Sequence, residues 1–335
     1  MRNVLIVGLG SIGQRHFRNL KSIDKKIIFY ASRKKRISPK LDNKNKVLRK
    51  KFDCRANDIQ EIDLAKAKKY KIDTAFVSNP TSEHLKTALN LAKMGCNLFI
   101  EKPLSHKLTG VKKLLKIVNS KKIKCEIGFQ TRYDDLLIAI KKIIISKKYG
   151  DIKKASISHR HYLPYHHKYE DYKKGYAARK DLGGGVLLCF AHEIDYASYL
   201  FGKVKRITTQ EISSDKNLDI KVETSAIFTL FYGEKKIPVF FNLDFLKKKN
   251  QRKCEIKFEK AILIWDLNEN KIEIYDGRKK TIKSKIRTRN GLFLKSLKKV
   301  YTSFKANKNS LNTLANAAEN LKIIINIKKK FGKVK

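Results

Sequence analysis

Acidic residues are the scarce class in this sequence. Asp and Glu number 31 against 77 Lys and Arg in 335 residues, a net charge of +46. Such an excess attracts polyanions and acidic small molecules at low salt. The lysines run along the whole chain together with Ile and Asn, which reads as compositional drift rather than as a basic tail or patch. Long apolar runs are also absent. No stretch reaches about 18 residues without a charge, which excludes a membrane-spanning helix. The segment Leu311 to Lys330 is the one basic amphipathic candidate for a membrane surface, and it reads as a packed helix. The five cysteines (Cys54, Cys96, Cys125, Cys189 and Cys254) are far apart, and none forms a C-x-x-C pair. That excludes a disulfide framework or zinc knuckle and fits a reducing cytoplasm. The run from Met1 to Gly8 has the outline of a signal peptide, but its apolar part is too short and no small-residue cleavage site follows.

What is present is a globular composition, 42% hydrophobic and 10% aromatic, over a length that predicts about two domains at ~150 residues each. The first 120 residues alternate strand and helix patterns. Strands are predicted at 4–7, 27–30, 73–78, 97–100 and 123–129, and helices at 12–23, 57–70, from Thr81 to a stop at Gly95, and from Val111 to Val118. This alternation implies a parallel sheet with right-handed crossovers. After residue 150 the rhythm changes. One helix is expected from Gly185 to Leu200, and successive short strands from Val204 to Tyr275 favour an antiparallel sheet. Helical patterns close the chain at 290–305 and 311–330. We set the domains at 1–122 and 123–335, with the C-terminal helices packing back on the first. No Pro- or Ser-rich linker separates them.

Three motifs carry chemistry. Gly8-Leu9-Gly10-Ser11-Ile12-Gly13 follows a predicted strand and opens a predicted helix, the context that a dinucleotide fingerprint requires. Gly8 allows the tight turn, Gly10 lets a pyrophosphate approach the backbone, and Gly13 lets helix and strand pack closely. Free N–H groups of Ser11, Ile12 and Gly13 and the helix dipole would hold the phosphates. The second strand ends in Tyr30-Ala31-Ser32-Arg33-Lys34, without the acid that accepts a ribose 2′-hydroxyl. Ser32 and Arg33 can instead hold a 2′-phosphate, which favours NADP over NAD; the alternative is that Arg33 and Lys34 belong to the general basic surface. Second, Glu101-Lys102-Pro103 follows a strand whose carboxyl end should face the ligand crevice, so Lys102 should lie near the nicotinamide and orient a substrate hydroxyl. Third, Gly183-Gly184-Gly185 precedes a helix carrying His192 and Asp195, three residues apart on one face. The glycines suggest close approach of a ligand, and histidine is the natural proton acceptor for alcohol oxidation near neutral pH.

Taken together, the fingerprint, Asn79-Pro80-Thr81-Ser82-x-His84, Glu101-Lys102-Pro103 and the triple glycine with His192-x-x-Asp195 resemble the glucose–fructose oxidoreductase / inositol dehydrogenase (Gfo/Idh/MocA) family over nearly the whole chain. Gly128-Phe129-Gln130-x-Arg132-Tyr133 resembles its interdomain junction. The resemblance implies a Rossmann domain followed by an α+β domain with a large open antiparallel sheet, and homodimers or homotetramers formed through that sheet. It implies NAD(P)-linked oxidation or reduction of a sugar, polyol or nucleotide-sugar-like compound. Lys102 and His192 would match the family's catalytic residues, and Asn79, Pro80, His84 and Glu101 would line the cofactor. One position departs: Leu188 stands where many members carry the Asp of a Lys–Asp–His relay. The wording around His192 is similar to a branch associated with bacterial surface-sugar pathways.

The segment from His159 to Arg179 is rich in polar aromatics; Tyr162, Arg132, Arg179 and Asp195 are candidate substrate contacts, and Arg160 and Arg179 could hold an anionic group such as a carboxylate or phosphate. The alternative for this segment is a dimer-interface or surface loop. A zinc site from His159, His161, His166 and His167 is set aside, because adjacent histidines rarely converge on one ion. Three other functions stay open: a cofactor-binding protein without redox turnover, an NAD-assisted glycosidase, and a basic polyanion- or nucleic-acid-binding protein. Dispersed charge and the lack of a binding module count against the last.

Overall fold

The computed structural model describes residues 1–34, 38–42, 46–166, 170–286, 288–308 and 311–331. The chain divides into two compact units. Unit 1 holds Met1–Phe129 and Asn290–Leu321; unit 2 holds Gln130–Arg289 and the C-terminal stretch from Lys322.

Unit 1 opens with strand β1 (Asn3–Val7), helix α1 (Ser11–Ile23) and strand β2 (Ile28–Ser32). A short hairpin, β3 (Pro39–Leu41) and β4 (Val47–Lys51), precedes β5 (Ile59–Glu61). Strand β6 (Thr74–Val77), helix α2 (Thr81–Lys93), β7 (Asn97–Ile100), α3 (Val111–Ser120) and β8 (Cys125–Ile127) follow. The six long-range strands form one parallel sheet in the order β5-β2-β1-β6-β7-β8. Strand order reverses between β1 and β6, the place where doubly wound sheets hold their ligand crevice. Central strands are buried along their length, as apolar runs with β-branched residues require. The expected helix at 57–70 is not formed. Ile59 is instead paired with Phe29 in the sheet, and a 3₁₀ turn capped by Asp63 covers Leu64–Tyr70. Sheet pairing thus overrides the helix propensity of the Ala- and Lys-rich stretch.

Unit 2 begins with helix α4 (Asp135–Ile145) and strand β9 (Ile152–Arg160), then helices α5 (Val186–Cys189) and α6 (Ala191–Phe201). Seven strands follow: β10 (Val204–Ser213), β11 (Ser225–Tyr232), β12 (Ile237–Asp244), β13 (Gln251–Phe258), β14 (Ile262–Asp266), β15 (Lys271–Tyr275) and β16 (Lys279–Lys283). All eight form one sheet, ordered β10-β11-β12-β9-β13-β14-β15-β16. It is mixed rather than purely antiparallel, because β9 lies parallel to β12. One face is the core: Phe228 stacks on Phe241 at 4.7 Å, and the buried Trp265 meets Tyr196 of α6 edge-on at 5.3 Å. The helix expected over 185–200 is two helices, broken at Phe190 (φ −99°, ψ 28°).

The chain closes with α7 (Arg289–Lys305) and α8 (Leu314–Lys328). Leu297, Val300 and Phe304 of α7 join Phe17, Leu20, Phe76 and Phe99 in the core of unit 1. At ~1.5–3 kcal/mol per buried large side chain, this C-terminal return is integral to that unit.

Candidate active site

At the carboxyl end of β1, Gly8 turns the chain with φ +90°, and its N–H donates to the Ser32 carbonyl at 2.9 Å. A Cβ at Gly8 would stand 2.8 Å from the Ser78 carbonyl oxygen, and one at Gly13 would stand 2.0 Å from that of Gly8. Both glycines are therefore required by packing. Gly10 differs: a Cβ there would meet nothing within 4 Å. Helix α1 starts directly afterwards at Ser11, with Ile12 and Gly13 in its first turn and no side-chain cap. An uncapped helix N-terminus behind an open glycine is suited to an anionic group.

The loops after β6 and β7 lie on the same edge of the sheet. Asn79 donates from Nδ2 to Thr87 Oγ1 at 2.9 Å, and Pro80 leads into α2. His84 is buried with its two ring nitrogens 2.8 Å from the carbonyl oxygens of Pro103 and Asn79, tying the two loops together. Burial pulls its pKa down, against the two carbonyls, which favour the charged ring. Glu101 is buried, with Oε1 2.6 Å from His16 Nε2, while Oε2 accepts from the Lys102 backbone N–H at 3.2 Å. His16 sits among Phe99, Phe76 and Phe293. A Cβ at Gly128 would press on the Glu101 carboxylate at 3.1 Å, so that glycine makes room for it. Lys102 is half-buried and followed by a cis Lys102–Pro103 bond. Sequence reasoning missed His16, because nothing local marks a helix histidine as the partner of a glutamate 85 residues away.

At the end of β2 the structure changes the reading of Arg33. Ala31 pairs with Glu61 across β2 and β5. Arg33 forms a bidentate ion pair with Glu61, Nη2–Oε1 2.6 Å and Nε–Oε2 3.0 Å. The Arg33 side chain is 7% exposed and that of Glu61 40%. The hydrogen bond to Glu61 raises the Arg33 pKa, and burial followed by Glu61 pushes the neighbouring Cys54 thiol up to about 12. A carboxylate from β5 thus stands beside the end of β2. Lys34 is exposed and reaches Glu83 at 3.2 Å.

In unit 2 two of the three glycines have a packing cause. A Cβ at Gly184 would meet the carbonyls of Ala177 and Tyr176 at 2.5 and 2.6 Å. One at Gly185 (φ +105°) would meet the Glu223 carboxylate at 2.2 Å. Glu223 is fully buried and answered by Lys328 Nζ at 2.9 Å, which also donates to the Gly184 carbonyl at 3.0 Å. The glycines let backbone pass over this buried pair.

His192 is buried on the first turn of α6, with Nδ1 3.4 Å from Thr131 Oγ1. Arg132 and Asp195, expected as substrate contacts, are buried against each other in a bidentate pair, 2.8 Å on both arms. Each is thus engaged by the other within the protein. Glu193 is fully buried between Arg252 Nε at 2.7 Å and His159 Nδ1 at 3.0 Å; burial raises its pKa, but the Arg252 guanidinium and then the His159 ring outweigh this and lower it. Phe190, at the helix break, stacks on His159 at 3.8 Å. Leu188 is buried and apolar, so no carboxylate stands at that position. Arg160 is bound to Asp244. Tyr162 is half-buried against Tyr165, and Arg179 is exposed and pairs locally with Asp181. His167 and Tyr169 lie outside the described residues. Among those described, no group of three or more His, Cys, Asp or Glu side chains is arranged to hold a metal ion.

A parallel-sheet unit with a glycine fingerprint at its switch point, joined to a mixed-sheet unit, defines a two-domain dehydrogenase-like class. The comparisons narrow it. Residues 2–129 match the oxidoreductase family with an NAD-binding Rossmann fold, and 137–264 match the GFO/IDH/MocA C-terminal domain. The chain belongs to the Gfo/Idh/MocA oxidoreductase family. It is 25% identical over 211 residues to myo-inositol 2-dehydrogenase of Thermotoga maritima, covering 59% of this chain and 54% of that protein. It is 26% identical over 167 residues to scyllo-inositol 2-dehydrogenase (NADP(+)) of Bacillus subtilis, covering 49% and 44%. The chain thus spans about half or less of the length of these curated relatives. The solved structure of levoglucosan dehydrogenase with NADH and levoglucosan superposes with a TM-score of 0.82 at 14% identity, covering 99% and 97% of the two chains, a likeness of fold. Among the described residues, no helix is long and apolar enough to cross a membrane.

Proposed function

We propose that the protein is an NAD(P)-dependent oxidoreductase acting on a CH–OH group of a sugar, polyol or nucleotide-sugar-like compound. The observation that carries this reading is the crevice of unit 1: Gly8 and Gly13 locked by packing, Gly10 open, and α1 uncapped, beside the Glu101–Lys102 loop. These features fit a dinucleotide pyrophosphate. Bound there, a nicotinamide supplies or accepts the hydride. Gly10 and the first-turn N–H groups of Ser11, Ile12 and Gly13 hold the phosphates, and Asn79 and Pro80 line the crevice next to them. Lys102 is assigned to polarise and position the substrate oxygen, its backbone fixed by Glu101, and Glu101 by His16.

His192 is assigned to exchange the hydroxyl proton. With Leu188 in place of an acid relay, its hydroxyl neighbour Thr131 helps to orient the ring. Arg132 and Asp195 hold α6 to the Gln130–Tyr133 turn that leads into α4 and act by positioning. Tyr162 and Arg179 remain the substrate-facing candidates, with Arg179 suited to an anionic group once released from Asp181. The reading of NADP over NAD needs a guanidinium at the surface beside Ser32, and Arg33 is instead folded against Glu61. Assembly into homodimers or homotetramers and a place in the cytoplasm, in surface-sugar synthesis, complete the proposal.

The test is a titration with NADH and NADPH near physiological salt, followed by a screen of inositols, sugars and nucleotide sugars for dehydrogenation. Lys102→Ala and His192→Ala should each cut turnover by at least about 100-fold while dinucleotide still binds. Full turnover of Lys102→Ala on the true substrate would sink the assignment.

A further inference from the structure

We propose that Glu61, from the edge strand β5, is the residue that reads the adenosine ribose and makes this chain prefer NAD(H) over NADP(H). The inference rests on the dinucleotide reading above. In doubly wound sheets the ribose is read at the carboxyl end of the strand after the fingerprint, by an acid for a 2′-hydroxyl or an arginine for a 2′-phosphate. Here that edge carries both, and they are joined. Arg33 gives Nε and Nη2 to the Glu61 carboxylate through hydrogen bonds of 3.0 and 2.6 Å, and its Nη1 is buried. The bidentate geometry is the strong form of such a pair.

The exposures decide which member meets a ligand. The Arg33 side chain is 7% exposed and the Glu61 side chain 40%. The surface at this edge therefore presents the carboxylate, with the guanidinium folded beneath it as support. Glu61 is placed there because β5 runs parallel to β2 and ends level with Ala31. A ribose 2′-hydroxyl can donate to a carboxylate oxygen held in this way. A 2′-phosphate would meet like charge, and to reach Arg33 it must displace Glu61 from a two-pronged pair. The chain thus regains, from the neighbouring strand, the acid missing from its own second strand.

Equilibrium titration of the full chain with NADH and with NADPH, followed by nicotinamide fluorescence, tests this. The wild-type chain should bind NADH more tightly than NADPH. Glu61→Gln keeps the shape and removes the charge, and should move the ratio of the two dissociation constants toward NADPH by about tenfold. Arg33→Gln leaves the carboxylate in place and should keep NADH preferred. A ratio moved less than about threefold by Glu61→Gln, or a wild-type preference for NADPH, overturns the inference while leaving the dinucleotide site intact. Melting curves of the three proteins show whether a variant is folded; should Glu61→Gln not fold, Glu61→Ala takes its place with the same expectation. Binding of neither dinucleotide by the folded wild-type chain overturns the parent reading, and this inference with it.

Discussion

His84 shows how a single buried side chain can link the sheet edge to the candidate chemistry. It bridges the carbonyls of Asn79 and Pro103, and Pro103 directly follows Lys102. A neutral imidazole can donate to one carbonyl; donating to both requires the charged ring. Burial is the larger influence and sets the pKa below the ordinary value of 6.5. The sign follows from linkage. Because the unfolded chain takes up a proton near 6.5 and the folded one resists until lower pH, the stabilisation is complete above about 6.5 and is lost as pH falls below it. Urea unfolding of wild type and His84→Ala from pH 8 to pH 5 should show this. At pH 8 the variant should be less stable by roughly 1–3 kcal/mol, the cost of leaving buried carbonyls unbonded. The gap should narrow on acidification; a gap that widens would mean that the charged ring is the native form. Turnover should fall as well, because His84 ties the Asn79 loop to the Lys102 loop.

Elements, rather than single residues, decided what could be read from the chain beforehand. The β1–α1 unit was legible because everything that defines it is local: an apolar strand, three glycines and a helix within 21 residues. That legibility has a sharp consequence. Gly13→Ala should cost about 1–3 kcal/mol or more, because its Cβ falls 2.0 Å from the Gly8 carbonyl oxygen. Gly10→Ala should leave stability within about 0.5 kcal/mol and still lose dinucleotide binding, since its methyl points into the open crevice. Thermal melts and the titration above separate the two, and a Gly10→Ala protein that binds normally would move the pyrophosphate elsewhere. Other elements were not legible, because their causes are distant in sequence. Strand β5 lies in a stretch with helix propensity and forms only because Ile59 has Phe29 to pair with. Within the triple glycine, Gly185 is constrained by Glu223, which Lys328 holds, and both are far along the chain. Arg33 was read from its own strand, while its partner Glu61 sits on another. The mixed character of the second sheet depends on β9, whose Ser- and Lys-rich sequence carries little strand signal on its own.

Over the whole molecule the dominant quantity is the net charge of +46. The structure answers it with carboxylates placed beside lysines and arginines, but most of these pairs are on the surface, as in Lys153–Glu259, Lys173–Asp219 and Lys205–Glu234. Exposed pairs contribute about 0–1 kcal/mol each and weaken with salt. Repulsion among the uncompensated lysines also weakens with salt, and it is the larger sum because 77 cations face 31 anions. The two effects have opposite signs, so one measurement decides between them. Raising sodium chloride from about 0.02 to 0.3 M, across which the screening length falls from about 20 Å to below 8 Å, should raise the melting temperature. Each kcal/mol of relief corresponds to about 2–4 °C for a domain of this size. A fall would mean that the ion pairs outweigh the repulsion. The same series bears on function. Dinucleotide held by backbone N–H groups at the N-terminus of α1 should lose affinity only modestly over this range, whereas a polyanion held by dispersed lysines should lose it by orders of magnitude.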